Sequence, residues 1–216
     1  MAKSGQRKGG FGAGGVRPDR STKKDVLLYG SESIDSIPDP SLRKEVQSAI
    51  SRYVSIFGSL PERQIKVADF TIALAPGPMQ NTLALQFQGG KRSLNIRGIF
   101  LNKAVWKNNK ETTQIVKGLM DDGILSKTPR PVRHAIVHEL AHARWQEFNA
   151  SRKARRARPE ITKVFRQFKR ERRQGWGSLA RQDVGEFFAE AMAKHASGAP
   201  DRYTKKIMRI VEKHNL

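Results

Sequence analysis

Apolar positions along the chain change their period twice. After Pro40, Leu42, Val46, Ile50, Tyr53 and Phe57 recur three or four residues apart, the spacing of one helical face, and Gly58 with Pro61 ends the run. From Gln64 to Asn102 the period shortens. Q-I-K-V-A-D-F-T-I-A-L-A is rich in β-formers, T-L-A-L-Q-F-Q follows a Pro-Gly-Pro break, Q-G-G-K-R-S reads as a hairpin turn, and L-N-I-R-G-I-F-L-N returns. This predicts three strands in one antiparallel or mixed sheet, with Gly98 marking either a bulge or a close backbone approach. Beyond Glu111 the helical period resumes. One helix is expected over Glu111–Asp122, ended by Gly123, and a second opens at Pro131. A third is expected to open at Pro159, with Ile161, Val164, Phe165 and Phe168 on one stripe and Gly175 at its end. Asp183 starts a fourth, and the last runs from about Pro200 to His214.

A helix, a small sheet and then a run of helices is an α+β order. The 216 residues suffice for one domain with a real core. Residues 1–25 are mostly Gly, Lys and Arg and read as a disordered basic arm, leaving 26–216 as a single domain with a basic helical insert at 151–175. The absence of cysteine excludes a disulfide framework and any thiolate metal site. No apolar h-region stands near the N-terminus and no apolar run reaches the length of a membrane span, so neither signal-peptide secretion nor membrane insertion is expected. The formal net charge of +21 implies a field that attracts polyanions.

The stretch R-H-A-I-V-H-E-L-A-H-A-R-W-Q-E-F, Arg133 to Phe148, carries the chemistry. Residues four apart on a helix share a face, so His138 and His142 present two imidazoles to one point. Glu139 lies about 100° further round, within reach of a metal-held water. The plainer reading is an amphipathic helix with incidental histidines, its core side formed by Val137, Leu140, Ala141, Trp145 and Phe148. A catalytic zinc takes three protein ligands, and Asp183, Glu186, Glu190 and His195 all lie on or beside the helix expected after residue 183. Glu186 also fits a capping box with Asp183. Glu186 and Glu190 are four apart, so one can bind metal while the other orients a ligand. His134 lies one turn before His138 and is expected to be a solvent-side or capping histidine.

H-E-L-A-H followed by E-F-F-A-E-A-M resembles the gluzincin-type metallopeptidases of the lethal-factor kind and the related domains of tailed-phage minor head proteins. R-G-I-F-L-N-K is similar to the strand preceding the active-site helix in those phage domains, and the resemblance covers roughly residues 95–214. It implies a zincin-like fold: a small sheet, an active-site helix and a mostly helical C-terminal half. It further implies Zn2+ held by His138, His142 and Glu186, Glu139 as general base, and Glu190 as the carboxylate that orients a ligand. The substrate would be a protein or peptide, paired by β-addition along an edge strand ending near Ile99–Leu101. The setting would be a phage virion, among virion proteins, or the host-cell cytoplasm. One position departs from the pattern. Leu179 stands where the lethal-factor kind places a tyrosine that stabilises the oxyanion, and Arg181, His134 and Tyr203 are candidate substitutes by residue type alone.

Between the motifs, eleven Lys and Arg lie between Arg152 and Arg173 against two Glu. Non-specific, salt-sensitive contact with nucleic acid is expected through Arg152, Lys153, Arg155, Arg156, Lys169, Arg170, Arg172 and Arg173. Phe165 and Phe168, on the apolar stripe, are expected in the core rather than stacked on bases. Two functions follow: a zinc endopeptidase, or a zincin-fold virion or DNA-associated structural protein that is weak or inactive as an enzyme.

Overall fold

A computed structural model describes residues 31–60, 65–70, 82–90, 93–152, 154–171 and 174–216, with the backbone alone for 85–90 and 93–97. The expected arm at 1–25, part of the first expected strand segment, the tip of the hairpin turn, and Lys153, Arg172 and Arg173 lie outside the described residues. The chain is α+β and divides into two compact units, residues 1–43 with 63–109 and residues 44–62 with 110–216.

The first unit holds a four-stranded sheet among the described residues: β1 (Glu32–Ser33), β2 (Ile65–Ala68), β3 (Ala84–Gly90) and β4 (Ser93–Asn102), in the order β1-β2-β4-β3. The sheet is mixed. β2 runs parallel to β4, with Ile65 opposite Ile99, while β3 and β4 form the antiparallel hairpin expected around the Gly-Gly turn. Ile99–Leu101 is therefore paired on both sides and is not the expected edge strand, so a substrate backbone has no open edge there to join. Gly98 does not mark a bulge. It pairs in register with Phe87, and the irregularity falls between Gln88 and Gly90 beside the turn. Val67, Phe70, Leu83, Ile99, Leu101 and Trp106 are buried, and the Trp106 indole donates to the Leu83 carbonyl at 2.8 Å.

Helix α1 (Pro40–Phe57) follows Asp39, whose carboxylate accepts from the Ser41, Leu42 and Asn109 amides. Its buried stripe is Leu42, Val46, Ala49, Tyr53 and Phe57. Ala49 takes the place expected for Ile50, which is half-buried. The second unit adds α2 (Asn109–Asp121), α3 (Pro131–Ala150), α4 (Ala154–Arg170), α5 (Val184–Ala196) and α6 (Arg202–His214). Within it α3 packs chiefly on α5, and α4 and α5 pack on α6. Phe168, Trp176, Phe187 and Tyr203 form its aromatic core, with Phe168 and Phe187 centroids 4.8 Å apart.

Two helices depart from expectation. Pro159 lies inside α4 rather than opening it. The stripe extends backwards through Ala154 and Ala157, both buried, and the first turn is held by amide bonds from Ala154 to Ser151 and from Arg155 to Arg152. Burial of that alanine face outweighs the amide donor and the space that a proline removes from a helix. The helix ends at Arg170, before Gly175, where Arg181 donates to the Glu171 and Lys169 carbonyls. Helix α3, expected to be amphipathic, is instead buried on all sides from Pro131 to Ala141. Its polar side chains therefore need partners inside the protein. Among the described residues no helix is long and apolar enough to cross a membrane.

Candidate metal centre

Helix α3 brings the first two candidate ligands together by its own geometry. His138 Nε2 and His142 Nε2, one turn apart, stand 2.9 Å from each other. Helix α5 supplies the third. Its N-cap Asp183 accepts from the Gly185 and Glu186 amides, which fixes the first turn. Trp145 of α3 then packs on Phe188, ring centroids 5.1 Å apart, and beside Gly185. A Cβ on Gly185 would lie 3.0 Å from the Trp145 indole nitrogen, so glycine permits this approach of the two helices.

The approach carries Glu186 to the histidines. Its Oε2 lies 3.4 Å from His138 Nε2 and 3.3 Å from His142 Nε2. The Asp183 carboxylate caps the helix, while the Glu186 carboxylate lies beside the two histidines. Four residues on, fully buried Glu190 has Oε1 2.9 Å from His138 Nδ1 and 3.1 Å from His134 Nε2. Its Oε2 accepts from the Ser126 amide at 3.0 Å, and the Gly177 amide in turn donates to Ser126 Oγ. Gly177 could carry no side chain, because a Cβ would sit 2.2 Å from the Ile124 carbonyl oxygen.

Among the described residues, two sets of groups are close enough to hold a metal ion: His138, His142 and Glu186, and His134, His138 and Glu190. They share His138 through different ring nitrogens. In the second set the carboxylate already accepts a backbone amide and every member is buried. In the first, His142 and Glu186 are partly exposed, and Glu186 Oε2 is a buried oxygen without a hydrogen bond. A buried anionic oxygen facing two imidazoles at one point fits a cation.

The charge balance agrees. Burial raises the pKa of Glu139, against the pull of His138 and His142, and its Oε1 is buried with no hydrogen-bond partner. Burial works against charge on Glu186 and Glu190 too, but the neighbouring imidazoles hold both carboxyls well below the usual range. Burial also opposes charge on His138, yet Glu186 and Glu190 raise it to about 10. A metal at Nε2 would take the place of that proton, since a ligating imidazole must be neutral.

The remaining candidates are placed elsewhere. Asp183 is a helix cap, and His195 joins neither set. His134 is fully buried on Glu190 rather than solvent-side or capping, because α3 is enclosed all round. Its spacing of four from His138 was the available signal. Arg181 caps α4 and lies over the Phe168 ring, and the Tyr203 hydroxyl accepts from Arg202, so both are engaged with groups other than the candidate ligands. Leu179 is buried in a short 3-10 turn, Leu179–Arg181. Of the basic candidates, Arg152, Arg155, Arg156, Lys169 and Arg170 are exposed. Phe168 is core as expected, whereas Phe165 is half-buried against Phe187. No family model matches the chain, and neither the curated proteins nor the solved structures hold a significant match to it.

Proposed function

We propose that the chain is a zinc-dependent endopeptidase, with His138, His142 and Glu186 as ligands and Glu139 as general base. The observation that carries this is the convergence of the three ligand atoms beside a buried, unpartnered Glu139 oxygen. At 3.4, 3.3 and 2.9 Å from one another, Glu186 Oε2, His138 Nε2 and His142 Nε2 are close enough that they would hold one ion between them. A zinc ion held there would supply Lewis acidity, lowering the pKa of a water and polarising a carbonyl. Glu139 takes the proton of the attacking water on Oε1 and returns it to the leaving amine. Its raised pKa suits both transfers. Glu190 holds the His138 ring so that Nε2 faces the ligand site.

The likeness of the two motifs to those of tailed-phage minor head proteins supports a virion or morphogenesis role, in the virion or the host cytoplasm. One observation favours a second reading, a zincin-fold virion or DNA-associated structural protein with little or no activity. Leu179 cannot donate a hydrogen bond, and Arg181, His134 and Tyr203 are all engaged elsewhere. A missing oxyanion donor lowers the rate by about 10²–10³. The readings separate on a mixed peptide library digested by wild type and by Glu139→Gln, both loaded with zinc. Cleavage by wild type alone supports the peptidase; equal inertness supports the structural protein.

A further inference from the structure

The N-terminal end of α4 and the C-terminal end of α6 frame an open cleft of about 530 Å3, lined by Arg152, Arg155, Arg156, Lys213 and His214. A second hollow of about 290 Å3 shares Arg152 and Arg155 with it and adds Arg158 and Asn149. Glu160 pairs with Lys213 at 2.9 Å and with His214 at 2.8 Å. Among the described residues no carboxylate pairs with Arg152, Arg155, Arg156 or Arg158, and all four are exposed.

This cluster works against the fold that carries it. Like charges crowd the positive end of a helix dipole, and the first turn of α4 has no acidic residue to offset them. An external anion removes both penalties. Lys163, Arg166, Lys169 and Arg170 continue the exposed face along a helix of about 25 Å. Among the described residues no large apolar side chain is exposed on that face, so it lacks the wedge with which a helix enters a lipid surface. A line of cations without apolar contacts matches a polymer of regularly spaced phosphates.

We infer that this cleft binds the phosphate backbone of a nucleic acid, with Arg152, Arg155 and Arg156 as its principal contacts and without base readout. Asn149 lies seven residues beyond His142 on α3, about 10 Å along the axis, so the bound backbone runs within a few helical turns of the metal ligands.

The test uses the full chain and a short fluorescent duplex, followed by anisotropy across a salt series. Arg152→Gln/Arg155→Gln/Arg156→Gln is compared with Lys44→Gln/Lys110→Gln/Lys117→Gln, which removes the same charge from exposed sites on α1 and α2. Both keep the basic N-terminal residues, so the comparison isolates the cleft. The cleft variant binds at least about tenfold more weakly, and its slope of log Kd against log salt falls by about 2.7, while the control changes less than about threefold. If the triple variant does not fold, Arg155→Gln and Arg156→Gln singly carry the test, each expected to weaken binding about threefold or more. Equal weakening by the control, no duplex binding by wild type, or binding to phosphatidylserine vesicles but not to duplex overturns the inference.

Discussion

Glu190 Oε1 stands 2.9 Å from Nδ1 of His138, and this contact decides which nitrogen of His138 faces the ligand site. With Nδ1 turned to the carboxylate, Nε2 is left beside His142 and Glu186. The same oxygen meets His134, and the other accepts the Ser126 amide, so one buried side chain fixes α3, α5 and the segment before α3 together.

Glu190→Gln keeps an oxygen for the Ser126 amide but loses the charge. Its metal affinity is expected to fall about 10- to 100-fold with the fold retained. Competition against a chromogenic chelator measures this. Glu190→Ala leaves the Ser126 amide and His134 without their acceptor, removes the anion beside His138, and is expected to lose about 3–5 kcal/mol of stability, read by chemical denaturation. Unchanged affinity in the glutamine variant would mean that Glu190 does not position His138.

Gly185→Ala places a methyl 3.0 Å from the Trp145 indole and 3.2 Å from the Asp183 carboxylate. Overpacking of this kind costs about 1–3 kcal/mol. Because the strain pushes α5 from α3, it falls on the distance between Glu186 and the histidines. Calorimetry is expected to show a lowered Tm and a smaller increase on adding zinc than in wild type. An undiminished zinc increment would show that the helix spacing does not set the site.

Asp39, in the first unit, gives a pH signature that involves none of the candidate ligands. The Asn109 amide foremost, then that of Leu42, holds its carboxyl below the usual value. A depressed folded-state pKa contributes stability that is present above the unfolded pKa and is lost as pH falls through the folded value. Asp39→Asn still caps α1 but cannot carry the charge. Wild type is therefore more stable than the variant above about pH 5, and the difference closes as pH falls below about 4. Acid-unfolding curves test this; a gap that persists in strong acid would contradict it.

The His/Glu cluster was legible because each pair lies four residues apart on a single helix, where local geometry alone puts side chains on one face: His138 with His142, Glu186 with Glu190. The α+β order was legible for the same reason, as each period is a local property. What joins the pairs was not. The Ser126 amide, the clearance at Gly177 and the Trp145–Gly185 contact depend on segments distant in sequence. His134 was misjudged because polar residues on an enclosed helix look, in sequence, like the outer side of an amphipathic one. Pro159 misled in the opposite direction: a strong local start signal yielded to the burial of Ala154 and Ala157.

The central claim is that His138, His142 and Glu186 together hold one zinc ion. Elemental analysis of the purified chain, dialysed against zinc and then against metal-free buffer, tests it most directly. The account predicts one equivalent of zinc in wild type and in Glu139→Gln, and less than about a tenth of an equivalent in His142→Ala and Glu186→Ala, a loss expected when a three-ligand site loses one member. Zinc-free wild type whose Tm does not rise with added zinc, or full retention by both ligand variants, would contradict it.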